Sequence, residues 1–576
     1  MAFFRAIASA TNCIPYSSSF YSNKSSFSNN RRKNPAVKFT CKAKNDDQRP
    51  QTTSKNGENS PGKIDRRDAL LGFGGLYSTS LVINPMKLAN PPLPDIKDCI
   101  DATQPNGTPI NCCPPAVGDV EIKDYVPSAT TVRTRMAAQS FSVDSDYYKK
   151  YSTAIQKMKN LSLSDPRNFL QQANVHCAYC DGGYTQQGNP DLLYEIHASW
   201  LFFPWHRWFL YFFEKICQNL IDDDNFALPF WNWDAPGGMQ IPPMYNSVVT
   251  SPLYDFLRNP DHLPPSVINL EWCNGDATVP PNDQIKYNLA IMYTQMITQS
   301  KTPTDFFGSP YRAGDETPQI IGAGQIEQTP HNHVHSWTGT IVDPTNPINM
   351  GVFYSAARDP IFYAHHANID RMWTIWLNQL KGTNITDLDW LNAYFIFYNE
   401  EAKPVRVRIQ DCLDTTILGY TYEDVPIPWL DASTKPKPRT KAKTLPSAPD
   451  PTQVFPTTLD KPINVIVKRP KKSGSGSSEE ILVIEGIEYD KRSYVKFNVY
   501  INEDDVNACR PNNTEFLGSF SNVPHGHGMS VKANKRFRIS EVLEELGARD
   551  YDRVLVTLVP KSNPVKINGI KIKFDP

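Results

Sequence analysis

The pattern of apolar and polar positions in this chain changes after about residue 433. Aromatic residues are dense between Trp200 and Trp233, which is typical of packed core helices. Residues 434–462 are rich in Lys, Pro and Thr and lack apolar periodicity, so we predict an exposed, protease-sensitive linker there. Five later segments are short, β-branched and alternating, which predicts antiparallel strands: 463–467, 481–484, 494–501, 554–559 and 565–574. We therefore predict a mainly α-helical domain over residues 90–433 and a small β domain over residues 463–576.

A helix start signal lies ahead of two histidines. Thr329 can cap a helix that has Pro330 at its first position. His331 and His335 follow four residues apart, so their rings share one face of that helix. His333 lies about 200° around the helix from His331 and is expected to face away. This helix is therefore predicted to offer two imidazoles to one point.

A second helix repeats the start signal with Asp359 and Pro360 ahead of an apolar stretch. It carries His365 and His366, whose rings diverge by about 100° because they are adjacent. Periodicity alone leaves open which of them joins the first pair. Asp370 lies one turn further on and either orients a ring or closes the helix surface with Arg371.

Three further histidines form another candidate set, namely His176, His197 and His206. Nine residues separate His197 from His206, which would place them on opposite sides of one continuous helix. Pro204 breaks that helix, so we predict one helix from about Pro190 through His197 and a second one starting near Pro204. Each helix then contributes one ring to a common site.

Two three-histidine sets without carboxylates favour copper, iron or zinc over calcium, magnesium or manganese. Three imidazoles leave open coordination positions on each metal, and dioxygen is the expected shared ligand. A zinc or redox pair formed by Cys177 and Cys180 is disfavoured, because no second cysteine pair follows at zinc-finger spacing and no thioredoxin-like unit surrounds it.

The N-terminal region is predicted to be a targeting segment that is removed from the mature protein. The first 45 residues contain eight Lys or Arg and no Asp or Glu, which is typical of an organelle transit peptide. Arg66 and Arg67 then precede an apolar run over residues 69–83, as in a twin-arginine signal. We expect residues 1–89 to direct the chain into the chloroplast and through the twin-arginine translocation machinery into the thylakoid lumen. The alternative, a membrane anchor, is disfavoured because a helical span needs about 20 apolar residues.

The charge of the mature chain argues against a nucleic-acid partner. Residues 1–89 hold 14 basic and 5 acidic side chains, so their removal takes the formal net charge from −1 to about −10. No basic patch is evident that would mark a nucleic-acid footprint. We therefore expect no nucleic acid and no stable membrane insertion. The sequence leaves the oligomeric state open.

Several segments resemble the plant polyphenol oxidases: His176-Cys177-Ala178-Tyr179-Cys180, Phe203-Pro204-Trp205-His206-Arg207, Arg358-Asp359-Pro360 and His365-His366-Ala367-Asn368-Ile369-Asp370-Arg371-Met372-Trp373. The resemblance covers nearly the whole chain and includes Lys496-Phe497-Asn498-Val499-Tyr500, where the family usually has Asp in place of Asn498. It also includes Gly419-Tyr420-Thr421-Tyr422, which resembles the motif that closes the family's catalytic domain.

The resemblance implies a catalytic domain with a four-helix bundle around a binuclear copper site and a C-terminal antiparallel β-sandwich that shields the site. Such enzymes oxidise small o-diphenols to o-quinones while O2 is reduced to water, and some also hydroxylate monophenols. They are latent until the C-terminal domain is removed or displaced. By this resemblance the ligands of the two copper ions are His176, His197 and His206 for the first and His331, His335 and His366 for the second.

The resemblance also assigns roles near the metals. Glu327 is expected to hold a water above the second copper, and its alternative is an exposed loop glutamate. Asn332 directly follows His331 and would help that water to take the proton of a phenol, as monophenol hydroxylation requires. Phe353 is expected to lie above the first copper and to stack on the substrate ring, and its alternative is plain core packing.

The cysteine pattern receives its pairing from the same resemblance, which links Cys99 to Cys113 and Cys112 to Cys177. Such bridges need the oxidising compartment that the targeting signals imply. Cys180 is implied to form a thioether bond with the ring of His197, although an ordinary buried thiol is the alternative.

Two alternatives of function remain. Six histidines and two coppers also occur in haemocyanin-like proteins that bind O2 reversibly. The C-terminal domain in turn would be either a shield over the copper entrance or a stabilising domain without a blocking role. No residue of that domain stands out in the sequence as the blocking one.

Overall fold

The computed structural model describes residues 90–104, 107–129, 131–274, 278–316, 322–340, 348–434, 447–471, 479–507, 509–525 and 530–575. The predicted targeting segment, residues 1–89, lies outside these residues, as does the part of the predicted linker from 435 to 446. Among the described residues, no helix has the length and apolarity that a membrane crossing requires.

The described part of the chain contains helices mainly before residue 434. They are α1 (Asp146–Asn160), α2 (Phe169–Cys180), α3 (Phe202–Ile221), α4 (Pro243–Asn246), α5 (Pro281–Tyr293), α6 (Pro303–Phe307), α7 (Asn332–Thr338), α8 (Phe353–Ala356), α9 (Ile361–Asn378), α10 (Leu388–Asn392), α11 (Pro451–Val454) and α12 (Ser540–Glu545). A π-helical turn, Thr294–Thr298, follows α5, and a kinked segment, Glu327–His331, precedes α7. α3 packs against α1 and α9, and α2 packs against α1 and α8.

The strands before residue 434 are short. They are β1 (Pro94–Asp95), β2 (Ala102–Thr103), β3 (Pro109–Ile110), β4 (Lys123–Asp124), β5 (Arg133–Arg135), β6 (Tyr184–Gln186), β7 (Asn189–Tyr194), β8 (Tyr394–Tyr398), β9 (Pro404–Arg408) and β10 (Tyr420–Tyr422). They form small sheets of two or three strands at the margins of the helices. The helices therefore carry the core of this region, in which tryptophan and phenylalanine side chains are buried.

The C-terminal region is built from strands. They are β11 (Thr457–Leu459), β12 (Ile463–Lys468), β13 (Glu480–Asp490), β14 (Val495–Ile501), β15 (Phe516–Asn522), β16 (Ser530–Arg538), β17 (Arg553–Pro560), β18 (Val565–Ile567) and β19 (Gly569–Phe574). One sheet has the order β12-β17-β14-β15, and the other has β11-β18-β13-β16 with β19 also pairing with β13. All of these pairings are antiparallel, and apolar side chains of both sheets share one hydrophobic core.

Four sequence predictions about local structure need correction. The segment 565–574 is two strands rather than one, because Asn568 separates β18 from β19 and donates its side-chain amide to Glu488. The predicted linker also extends too far, since Thr457–Leu459 pairs with β18. The β structure therefore begins before Ile463.

The predicted helix from about Pro190 through His197 is wrong. Residues Asn189–Tyr194 form β7, which pairs with Tyr184–Gln186 across a turn in which Gly188 has a φ of 80°. A hairpin with glycine in the left-handed region satisfies the backbone groups that a helix would have used. His197 therefore lies on a loop, and the helix near Pro204 begins at Phe202.

The predicted cap at Thr329 also differs in detail. Thr329 has the extended φ and ψ of −145° and 120° that a residue before a helix adopts. Its hydroxyl nevertheless does not cap the helix but lies 3.1 Å from the Ser519 hydroxyl of β15. The Thr329 side chain, which the sequence predicted to cap the helix, thus contacts the C-terminal β region instead.

Candidate metal centre

The first histidine set draws on three local structures. His176 lies on α2, His197 on the loop after β7, and His206 in the second turn of α3. Their donor atoms and the thiol of Cys180 all lie within 4.8 Å of one another. The rings of His197 and His206 are 5.4 Å apart between centroids, and those of His176 and His197 are 5.9 Å apart. The three imidazoles therefore converge in the buried core.

The second histidine set lies on the start of α7 and on α9. Nε2 of His335 is 3.1 Å from Nε2 of His331 and 3.2 Å from Nε2 of His366. The donor atoms of these three residues and of His365 lie within 4.8 Å of one another. The two helices therefore direct imidazoles to one point, as their spacing predicts.

Three of the candidate ligand rings are oriented by backbone carbonyl groups. The Nδ1–H groups donate from His206 to Phe202 at 2.9 Å, from His331 to Glu327 at 3.1 Å and from His335 to Met350 at 3.0 Å. A carbonyl oxygen only accepts, so the proton is on Nδ1 and the lone pair is on Nε2. Nε2 lone pairs that meet within hydrogen-bond distance repel one another unless a cation lies between them. The second set therefore has the donors that a bound metal requires.

The remaining nitrogens of the first set agree with this arrangement. Among the described residues, both ring nitrogens of His176 and the Nε2 atoms of His197 and His206 have no hydrogen-bond partner. Burial lowers the pKa of His197 and of His335 to about 3, and it lowers the pKa of the other ligand histidines as well. The rings are consequently neutral, which is the protonation state that binds metals. Two buried imidazole sets of this kind fit copper.

The two sets are in contact. The ring of His206 from the first set stacks on the ring of His366 from the second, with 4.1 Å between centroids and 7° between planes. His197 and His331 are also neighbours, at 6.0 Å between centroids. Metals held by the two sets would therefore share one cavity, as a binuclear centre requires.

His365 and His366 have different surroundings. Nδ1 of His365 accepts a hydrogen bond of 3.2 Å from the indole N–H of Trp233. Its lone pair at Nδ1 is therefore engaged, and the proton of the neutral ring is on Nε2. Nε2 of His366, by contrast, faces Nε2 of His335.

A carboxylate that the sequence analysis did not single out supports the first set. Oε1 of Glu195 accepts the backbone N–H groups of Ile196 at 3.0 Å and His197 at 3.1 Å, and lies 3.3 Å from Nδ1 of His197. Burial raises the pKa of Glu195 to about 8. Glu195 fixes the loop that carries His197, and its position two residues before a candidate ligand was the available signal.

Glu327 is buried, with 3% of its surface exposed. The alternative of an exposed loop glutamate is therefore wrong. One oxygen accepts the N–H of Ala198, next to His197, while the other has no partner among the described residues. Burial raises the pKa of Glu327 well above its usual value. The side chain thus connects the segment before His331 with the loop of the first set.

Asn332 and Phe353 border the two sets. Oδ1 of Asn332 lies 3.0 Å from Nδ1 of His331 and accepts its proton together with the Glu327 carbonyl. The ring of Phe353 stacks on His197, with 4.1 Å between centroids and 7° between planes. Phe353 therefore contacts a residue of the first set directly.

The cysteines fall into two groups. Disulfides link Cys99 to Cys113 and Cys112 to Cys177, which are the two pairs that the resemblance implies. The second bridge fastens the N-terminal segment to α2 beside His176. Cys180 is a buried thiol among the donor atoms of the first set.

Asp370 has neither of the two roles considered for it. Its carboxylate accepts from Arg207 of α3 at 2.6 Å and from the hydroxyl groups of Tyr420 and Tyr422, each at 2.6 Å. Arg371 instead pairs with Asp234 at 3.1 Å. The Asp370 carboxylate joins α3, α9 and β10 behind the metal-binding rings.

Residues of the C-terminal β region cover the centre. The carbonyl oxygen of Pro524 accepts the backbone N–H of Phe353 at 3.1 Å, and the His525 ring lies 5.5 Å from the Phe353 ring. Both Phe353 and His525 are buried. Pro524 and His525 could not be predicted to lie against Phe353. The sequence of a loop does not show which residues of a distant domain the loop will contact.

Comparisons with known families follow the domain pattern. The sequence profile of the common central domain of tyrosinase matches residues 166–379, which contain both histidine sets. The profile of the polyphenol oxidase middle domain matches residues 384–435, and that of the chloroplastic polyphenol oxidase C-terminal domain matches residues 455–574. The buried double-histidine centre within a tyrosinase domain defines an enzyme of the binuclear copper class.

Individual relatives narrow this class. A chloroplastic polyphenol oxidase of Malus domestica is 48% identical over 567 residues, covering 94% of this chain and 93% of its own. One from Vitis vinifera is 46% identical, with 95% and 93% covered. The solved structure of latent apple tyrosinase has a TM-score of 0.74 at 49% identity and covers 79% of this chain and 100% of its own. The chain belongs to the plant polyphenol oxidase family.

These findings decide between the broader alternatives. An oxygen carrier of the haemocyanin type is not favoured, since the relatives are oxidases. The expected chloroplast location agrees with the chloroplastic names of the relatives.

Proposed function

We propose that this chain oxidises small o-diphenols to o-quinones while O2 is reduced to water. The observation that carries the proposal is the pair of neutral, buried histidine sets joined by the stacked rings of His206 and His366. Two copper ions, when bound, supply the redox chemistry and the binding of O2. The protein supplies the ligand geometry, a dry cavity and the approach path of the phenol.

The ligands of the first copper in this proposal are His176, His197 and His206. Those of the second copper are His331, His335 and His366. His366 is preferred to His365 because the Trp233 indole occupies the Nδ1 lone pair of His365 and leaves its Nε2 protonated. The proposed bundle around the centre consists of α2, α3, α7 and α9.

Phe353 is proposed to receive the phenolic ring at the first copper. Its ring is already parallel to His197, so a substrate ring that displaces the covering segment finds an aromatic surface at the centre. A thioether between Cys180 and His197 would fix the same imidazole further, and the thiol's place among the donor atoms supports it. His197 lies on a loop, which makes such a bond more useful there than on a helix.

Hydroxylation of monophenols is a second proposed activity. It requires a group that takes the phenol proton close to the metals. Glu327 is buried with one oxygen free of protein partners among the described residues, and Asn332 lies beside His331. A water between these two side chains would be positioned to relay the proton.

We further propose that the C-terminal region, with its two sheets arranged as a sandwich, keeps the enzyme latent. The segment around Pro524 and His525 covers Phe353, which supports a blocking role. A cut in the linker predicted over residues 434–462 would allow this cover to leave. The proposed location is the thylakoid lumen, reached by twin-arginine translocation after removal of residues 1–89.

Oxygen uptake by the copper-loaded protein tests these proposals. It is measured with 4-methylcatechol and with tyramine, before and after cleavage of the linker. Uptake with catechol that increases after cleavage supports a latent diphenol oxidase, and uptake with tyramine adds the hydroxylase activity. Reversible O2 binding without consumption would contradict the proposed function, and equal activity before and after cleavage would contradict latency.

A further inference from the structure

The rear of the second histidine set is in contact with a strand of the C-terminal region. Ser519 and Ser521 are two residues apart on β15, so their side chains lie on the same face of the strand. That face packs against the turn Glu327–His331 and against α7. β15 therefore contacts the segment that carries His331 from the side opposite to the metal.

Ser521 makes four hydrogen bonds with this segment. Its N–H donates to Oε1 of Gln328 at 2.9 Å, and its hydroxyl donates to the Gln328 carbonyl at 3.0 Å. The side-chain amide of Asn332 donates to the hydroxyl of Ser521 at 3.2 Å and to its carbonyl at 3.3 Å. Ser521 is 2% exposed, so water does not substitute for these partners.

These contacts determine which way the Asn332 amide points. With its NH2 group bound to Ser521, its Oδ1 faces Nδ1 of His331 at 3.0 Å. The reversed orientation would direct an N–H group at the Nδ1–H of His331 and would lose both bonds to Ser521. Oδ1 of Asn332 is thus a second acceptor for the His331 proton, and such acceptors hold a metal-binding ring in place and raise its basicity.

We propose that Ser521 is a positioning residue for the second copper, which it affects through Asn332 and His331. The inference rests on the proposed function, because it presumes that His331 binds copper. It gives the C-terminal region a second role beside covering the entrance. Its departure would release the Asn332 amide and weaken the hold on His331.

Ser519 provides a matched control on the same strand. Its hydroxyl donates to Glu271 at 3.0 Å and lies 3.1 Å from the Thr329 hydroxyl and 3.3 Å from Nε2 of His333. Among the described residues, Ser519 makes no hydrogen bond with Asn332, and it is as buried as Ser521. Ser519→Ala therefore loosens the same interface without releasing the amide.

The test measures loss of copper from the full-length, copper-loaded protein in the presence of excess EDTA, by atomic absorption over time. Ser521→Ala is expected to lose one of its two coppers about 5-fold faster than the wild type, which corresponds to one neutral hydrogen bond. Ser519→Ala is expected to keep the wild-type rate for that copper. In an Asn332→Ala background, Ser521→Ala should have a smaller effect than in the wild type, because only the hydrogen bond from its hydroxyl to the Gln328 carbonyl is then lost.

Three outcomes would overturn the inference. They are an unchanged rate in Ser521→Ala, an equal acceleration in Ser519→Ala, and an effect of Ser521→Ala that is as large in the Asn332→Ala background as in the wild type. Failure of the proposed function looks different: a wild-type chain that does not take up two coppers or does not oxidise 4-methylcatechol after linker cleavage. A protein that passes both of those checks and shows any of the three outcomes contradicts only the role of Ser521.

Discussion

The two histidine sets are held by different parts of the molecule. The first is fixed within residues 90–434, where a disulfide anchors α2 beside His176 and Glu195 binds the loop of His197. The second is fixed on one side by α9 and on the other by β15 of the C-terminal region. The C-terminal region, whose residues lie against Phe353, therefore also contacts the segment that carries the second histidine set. The two metals should consequently depend on that domain to different degrees.

The largest expected effect concerns the choice of ligand in the second set. His366→Ala should lose the second copper and more than about 100-fold of catechol oxidation in the linker-cleaved enzyme, because changes outside the ligand set cost about 10–100-fold. His365→Ala should retain both coppers and lose less activity. Copper content and oxygen uptake check both variants. Equal copper loss in the two would contradict the assignment.

The second-largest expected effect is on protein stability and concerns the interface between the C-terminal strands and the residues behind the second histidine set. Nζ of Lys496 in β14 lies 2.6 Å from a carboxylate oxygen of Glu271, and the two side chains are 1% and 2% exposed. Lys496→Met leaves the Glu271 charge buried and unpaired, so the free energy of unfolding of the full-length protein should fall by about 3–5 kcal/mol. Urea unfolding measures this loss.

Lys571 offers a control for that measurement. Its ion pair with Glu485 has the same length of 2.6 Å, but the side chains are 53% and 40% exposed. Lys571→Met should cost less than about 1 kcal/mol. Equal losses of unfolding free energy in Lys496→Met and Lys571→Met would show that burial does not raise the cost of breaking the Lys496–Glu271 pair.

A third test uses the pH dependence of the same interface. Burial lowers the pKa of Lys535 from 10.5 to about 7, although Glu271, Glu327 and Asp305 act in the opposite direction. Between these values the unfolded chain binds the proton and the folded one does not, so stability should rise from pH 7 to pH 9. The slope from this group is at most about 1.4 kcal/mol per pH unit. Lys535→Met should flatten the change of Tm over this range, and an unchanged slope would contradict the prediction.

The smallest expected effect lies at the first set. Phe353→Leu keeps an apolar side chain but removes the ring that stacks on His197. The loss of an aromatic pair of about 0.5–1.5 kcal/mol should raise KM for 4-methylcatechol by about 2–10-fold in the cleaved enzyme. The copper content should stay at two per chain. Loss of copper instead would show that the ring holds His197 rather than the substrate.

Helix spacing was sufficient for one pair of histidines in the second set. His331 and His335 meet as predicted, because an i,i+4 pair is a property of one helix. The first set was harder, since His197 lies after a hairpin that only the pairing of β6 with β7 defines. The convergence was expected correctly there, while the helix proposed to carry His197 was wrong.

The C-terminal strands show where local pattern ends. β12 and β14 are rich in β-branched or aromatic residues and were predicted, whereas β15 and β16 were not. β15 contains Gly518, which has no side chain, and Ser519 and Ser521, whose side chains are small and polar. These residues give little strand preference on their own. They face the catalytic region and are therefore shaped by a contact far away in sequence. Ser521 and Pro524 have their roles through such contacts.

The hydrogen bonds of the Asp370 carboxylate affect what is expected when a protease cleaves the predicted linker. By binding Tyr420 and Tyr422, it fastens β10 to two core helices shortly before the predicted linker. A new chain end made by a protease frays back to the first firm attachment. Here that attachment lies close behind the cut, so unravelling would stop before it reaches the histidines. We therefore expect the part that contains the histidines to stay folded after cleavage in the linker.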